Sequence, residues 1–348
     1  MTKPYRLSVL DQSPIAEGCT SADALANTID LAKRCDALGY DRYWLAEHHA
    51  SPGFAGVAPE ALIGPVALAT KRIRVGSGGI MLPHYSPFKV AETFRMLSAL
   101  APGRIDLGLG RAPGSDPRTA FALQRDRSRQ MPVDDFPQNI AEIIAYLGDG
   151  LPADHPFAPL RDTLPSGHGG SPELWLLGSS PDSAAWAGET GLPYCIADFI
   201  NSDAAPLADF YRRTFRPSRW LEAPHLMVAT WVIAADTAEE AQRLALPAQV
   251  MFAHLVRGEL IAVPSVEKAA EWARKSPLPE RNRRVTLGTG EEAREALDGV
   301  ARLYGADELM LVNIMPDHEA RCRSYQLVAE AFGFDKARLV DSGRFTQN

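Results

Sequence analysis

The stretch that decides the fold is IRVGSGGIMLPHYSPFKVAETFRMLSALAPGRIDLGLGR, residues 73–111. Its first ten residues are apolar, β-branched and glycine-bearing, and read as a strand. Ser86 and Pro87 then sit where a helix N-cap and first helical position belong, ahead of apolar residues at helical spacing. After Pro102-Gly103 the run RIDLGLG is a second strand. Strand, helix and strand within 39 residues make a βαβ unit, whose strands lie parallel with a right-handed crossover.

The same unit recurs outward from this stretch. YRLSVL and RYWLAEHH precede it, and ELWLLGSS, PYCIADF, HLMVATWVIAAD and ELMLVNI follow it, each separated from the next by a helical pattern. Eight strands alternating with helices favour a closed (βα)8 TIM barrel over an open sheet. The G-x-G-x-x-G expected after the first strand of a dinucleotide-binding sheet is missing from VLDQSPIAEG. We therefore expect one α/β barrel domain over residues 1–348. A barrel of about 250 residues leaves about 100 to spare. The surplus falls near 112–135, 149–172 and 257–290, expected as loop insertions at the C-terminal face.

Composition narrows the function classes. The chain is 46% hydrophobic and 23% charged, with a net charge of −7, which gives no basic footprint for nucleic acid. Cys19, Cys35, Cys195 and Cys322 are scattered without a Cys-x-x-Cys pair, as in a reduced cytoplasmic protein. No signal peptide and no apolar run of membrane-spanning length is visible, so cytoplasm is the expected location and no membrane partner is expected.

In a barrel, the loops that follow the strands build the active site. The second strand ends in Glu47-His48-His49. Neighbours on an extended strand face opposite ways, so both histidines do not readily enter one site, which argues against a shared metal. What remains is one catalytic imidazole titrating near neutral pH, or a hydrogen-bonded pair with a structural role. The third strand carries Gly76-Ser77-Gly78-Gly79, suited to the close approach of a flat ligand or to tight packing. Pro83, His84 and Tyr85 follow as a polar rim. The fourth strand ends at Arg111, which either meets an anion or pairs with Asp106 or Asp116. The fifth delivers Gly178, Ser179 and Ser180, with Ser180 at an N-cap, Pro181 at N1 and Ser183 at N3. Such a helix start binds phosphate, or is simply capped. Asp182 there would repel phosphate unless it points outward, and Arg111 is the candidate cation. Together these features describe a planar ligand with a phosphate, which flavin mononucleotide (FMN) satisfies.

At the level of LDQSPIAEG, YWLAEHH, residues 75–117, LLGSSPDSAAWAGETGLPYCIADF and YGADELMLVNI, the chain resembles the bacterial luciferase-like flavin-dependent monooxygenase family, in its alkanal-monooxygenase-like single-domain branch. The resemblance implies a barrel that binds reduced FMN, or a deazaflavin in a sister branch. It implies that His48 is the active-site histidine assisting the oxygen chemistry, and that Gly78–Gly79 is a cis peptide under the flavin. Arg111, Ser179, Ser180 and Ser183 match positions around the phosphate. It further implies a homodimer, a mobile loop within 257–290 and a lid candidate at 112–135. The arginines of PRTAFALQRDRSR could meet an anionic substrate or belong to a solvated face. No aldehyde pocket is legible, so light emission is not implied.

The expected activity is that of an oxygenase component using O2, a small organic substrate and reduced FMN supplied by a separate flavin reductase, because no nicotinamide fingerprint is present. The alternatives are a deazaflavin-dependent oxidoreductase, a non-catalytic flavin-binding protein and a metal-dependent hydrolase.

Overall fold

The computed structural model describes residues 5–112, 116–125, 127–128, 134–167, 170–276, 278 and 284–334. Nine parallel strands run through it: β1 (Arg6–Asp11), β2 (Arg42–Leu45), β3 (Arg74–Met81), β4 (Ile105–Gly110), β5 (Glu173–Gly178), β6 (Tyr194–Ala197), β7 (Leu226–Ala234), β8 (Val285–Gly288) and β9 (Glu308–Val312). Eight close a barrel in the order β1–β7, then β9, which pairs back onto β1 from Arg6↔Glu308 to Leu10↔Val312. The ninth, β8, pairs only with Trp231–Ala234, the C-terminal part of β7. The architecture is the (βα)8 barrel expected from the alternation.

The helices are α1 (Ser21–Leu38), α2 (Pro59–Ala69), α3 (Pro87–Leu100), α4 (Pro117–Leu123), α5 (Phe136–Leu147), α6 (Pro181–Thr190), α7 (Ala205–Thr214), α8 (Ala238–Val256), α9 (Val266–Lys275), α10 (Gly290–Tyr304) and α11 (His318–Ala331). Neighbouring contacts place α1, α2, α3, α5, α6, α7, α10 and α11 in an outer ring around the strands, with α5 reaching α6 through Phe136 and Trp186. The helix that returns from β7 to β9 is thus α10, while α8 packs on α9, β7 and β8. The insertion expected at 257–290 therefore begins earlier, at α8, and carries two helices and a strand. An apolar periodicity like that of α8 serves an outer-ring helix or an inserted one equally well, so the sequence could not separate them.

The 149–172 segment joins the end of α5 to the start of β5, which chain direction puts at the N-terminal end of the barrel, opposite to the expected face. Within 112–135, α4 and the flanking residues 116–125, 127–128 and 134–135 are described, and the remainder beyond Ala112 lies outside the described residues.

A buried charge network fills the N-terminal end. The Arg42 guanidinium donates to Asp106 (2.8 Å), Glu173 (2.9 Å) and Glu308 (3.2 Å), and Arg42, Asp106 and Glu308 are all at most 2% exposed. Burial alone would raise the Glu308 carboxyl, but Arg42, His225 and Ser8 together outweigh that and hold it below the usual carboxylate range. No described helix is long and apolar enough to cross a membrane.

Candidate active site

The opposite, C-terminal end opens into a cavity of about 470 Å³. His48, Gly78, Gly79, Arg111, Gly178, Ser179, Ser180 and Ser183 all line it, so the eight positions singled out in the sequence come together. Leu10, Trp44 and Met310, each at most 4% exposed, form an apolar wall.

The peptide between Gly78 and Gly79 is cis. Packing is tight at both glycines, and at Gly79 it is backbone that stands in the way. A Cβ on Gly78 would stand 2.6 Å from Leu10 Cδ1, and one on Gly79 would stand 2.7 Å from the carbonyl oxygen of Gly108. The β3–β4 register shifts between Ser77 and Ile80, the point where this glycine pair passes the cavity. The close packing expected of these glycines is thus present where they line the cavity.

The two histidines separate as strand geometry requires, although β2 itself stops at Leu45. His49 Nε2 lies 2.8 Å from Glu47 Oε1, and the buried Glu47 also accepts from the Met81 amide (2.9 Å) and the Tyr85 hydroxyl (3.0 Å). His49 therefore has the structural role, and Tyr85 joins it instead of forming a free rim. His48 faces the cavity, stacks on Phe54 with centroids 4.8 Å apart, and has Nε2 3.3 Å from Gln12 Nε2. Burial pushes its imidazole down to about 4, with the neighbouring His49 charge acting the same way. The expectation of a group titrating near neutral pH is thereby corrected: His48 is a neutral imidazole at physiological pH.

Arg111 pairs with neither acid expected from the sequence. Asp106 is committed to Arg42 and Arg74 at the other end of the barrel, and Asp116 caps α4 by accepting from the Arg118 and Thr119 amides. Instead Arg111 Nη1 lies 3.3 Å from Asp182 and 3.5 Å from Asp134, with its guanidinium 5.1 Å from the Trp186 ring centre. Beside it, Ser180 caps α6 in a reciprocal capping box with Ser183. The Ser183 hydroxyl is taken up by the Ser180 carbonyl and the Tyr194 hydroxyl, each at 2.8 Å, so Ser183 shapes the helix start. The Ser179 hydroxyl makes no hydrogen bond among the described residues.

A family model described as luciferase-like monooxygenase matches residues 5–307. The chain belongs to the luciferase-like monooxygenase family. Among the relatives of this luciferase-like chain, an uncharacterized protein of Bacillus subtilis (strain 168), YwcH, is 44% identical, over 94% of this chain and 98% of its own. An N-acetyl-S-alkylcysteine monooxygenase of the same organism is 38% identical, over 94% and 98%. The solved structure of apo-MsnO8 superposes with a TM-score of 0.85 at 38% identity, covering 95% of this chain and 98% of that one.

Sequence reading missed the apolar wall of this luciferase-like protein, the polar Gln12 beside it, and Trp186, which stacks on Arg111 from outside the cavity lining. Gln12 lines the cavity, is 6% exposed, and its buried Oε1 has no hydrogen-bond partner among the described residues. Trp186 positions Arg111, yet in the sequence it reads only as an apolar helix residue. One group of metal-type ligands exists among the described residues, Asp30, His318 and Cys322, and none of them lines the cavity.

Proposed function

We propose that the protein is a flavin-dependent monooxygenase, the oxygenase component of a two-component system that takes reduced FMN from a separate reductase and uses O2 on a small organic substrate. The observation that carries this reading is the convergence, in one cavity, of an apolar wall, the Gly78–Gly79 pair, Gln12 with an amide oxygen unpartnered among the described residues, and Arg111 beside a hydroxyl-rich helix start. These groups fit a planar ring with amide-type donors and a phosphate tail. Bound reduced flavin supplies the electrons that activate oxygen.

The chain's own residues do the rest. Arg111, Ser179 and the α6 amides hold the phosphate, and Gly78 and Gly79 admit the ring. The wall of Leu10, Trp44 and Met310 excludes water. His48 stays neutral and presents an imidazole nitrogen to the cavity as a hydrogen-bonding group, with Gln12 fixing its orientation. The four cysteines are all free, in keeping with a reducing cytoplasm. Exposed Leu68 on α2 and Met96 and Leu100 on α3 offer an apolar face for the homodimer we also propose.

The test is a titration with FMN and riboflavin, followed by aerobic mixing of the complex with reduced FMN. FMN should bind at least tenfold tighter than riboflavin, and bound protein should change the rate at which reduced FMN is reoxidised. Equal affinities together with an unchanged reoxidation rate refute the reading. Substrate turnover only without oxygen, and with a deazaflavin, would assign the chain to the dehydrogenase alternative.

A further inference from the structure

Arg111 is the one lysine or arginine lining the cavity among the described residues, and two carboxylates already share it. An acid in the first turn of a helix favours the helix dipole, so Asp182 has a ready structural explanation on α6. That explanation does not cover its partner. Its Oδ2 lies 3.3 Å from the cation that an incoming phosphate needs, and Asp134 approaches the same nitrogen at 3.5 Å. Arg111 with the two aspartates carries a local charge of −1 beside the helix end that faces the cavity. Trp186 contacts the guanidinium from its ring face, a contact that depends on neither carboxylate.

We propose that Asp182, assisted by Asp134, is a counterweight to the phosphate clamp: it competes with the cofactor phosphate for Arg111 and keeps binding weak enough for exchange at every turnover. This inference rests on the reading of the cavity as a site for reduced FMN delivered by a reductase, and it adds how the chain releases what it binds. A permanently held cofactor gains nothing from carboxylates at its phosphate contact. A diffusible one needs a dissociation rate matched to catalysis, and a like charge beside the phosphate supplies it.

Removing one charge next to a phosphate at an exposed rim is expected to tighten binding about three- to tenfold, less at high salt. The experiment titrates wild type, Asp182→Asn, Asp182→Asn/Asp134→Asn and Glu189→Gln with FMN and with riboflavin, at low and high ionic strength. The proposal expects Asp182→Asn to tighten FMN while leaving riboflavin unchanged, the double variant to go further, and both gains to shrink with salt. Glu189→Gln removes the same charge from the far end of α6 and should leave both ligands at wild-type affinity. If wild type prefers FMN to riboflavin but the aspartate variants keep that preference unchanged, the counterweight is refuted alone. If wild type binds neither flavin, the cofactor reading itself falls, and the counterweight with it.

Discussion

Acidification from pH 7.5 to pH 5 should weaken the fold through His48 by about 2 kcal/mol at most. In the unfolded chain the ring titrates near 6.5, whereas burial against Phe54 and the cavity wall, together with His49, lowers it to about 4 in the folded protein. Between these values the unfolded chain binds a proton that the native state refuses. The contribution is therefore complete above pH 6.5 and is lost as pH falls toward 4, amounting to about 3 kcal/mol over the whole window. Urea denaturation of wild type and His48→Gln at pH 7.5, 6 and 5 isolates it, because every other titrating group subtracts in the difference. The wild type should lose its advantage steeply below pH 6.5. Parallel losses in the two proteins would refute the neutral, desolvated imidazole. The functional corollary is that no limb of the pH–rate profile near 6.5 belongs to His48.

Two further substitutions separate the ends of the barrel. Arg42→Met leaves the buried Glu308 without its arginine and Asp106 with Arg74 as its remaining cation, and should destabilise the fold by about 3–5 kcal/mol, read as a lowered Tm, while the folded fraction keeps wild-type FMN affinity. Gly178→Ala places a Cβ 2.5 Å from Ser183 Cβ and so displaces the start of α6; it should weaken FMN binding at least tenfold with about 1–3 kcal/mol of stability lost, as titration and thermal melting would show.

Much of this was legible because the signals are local. The βαβ periodicity of residues 73–111 and the Ser180–Pro181–Ser183 cap depend on neighbours in sequence, and both stand in the structure. The cap at Ser86 stands in position only, since its side chain makes no capping bond. What was not legible depends on distant partners. The ordinary titration expected of His48 ignored desolvation by Phe54 and the charge of His49. The pairing of Arg111 with Asp182 joins positions 71 residues apart, and only the geometry of β4 beside α6 reveals it. The role of α10 as the outer-ring helix in place of α8 likewise appears only once β8 is seen to pair outside the barrel.

The two ends of the barrel divide stability from binding. At the N-terminal end the charges of Arg42, Asp106 and Glu308 satisfy one another, so no ligand is needed there and removal of one partner is felt by the whole fold. At the C-terminal end Gln12 Oε1 has no partner among the described residues, and Arg111 is shared by exposed aspartates in pairs worth about 1 kcal/mol or less each. Groups held this loosely contribute little to folding, which leaves their interaction energy available to a ligand. That asymmetry is why substitutions around Arg111 should move affinity with little change in Tm, whereas those around Arg42 should do the reverse.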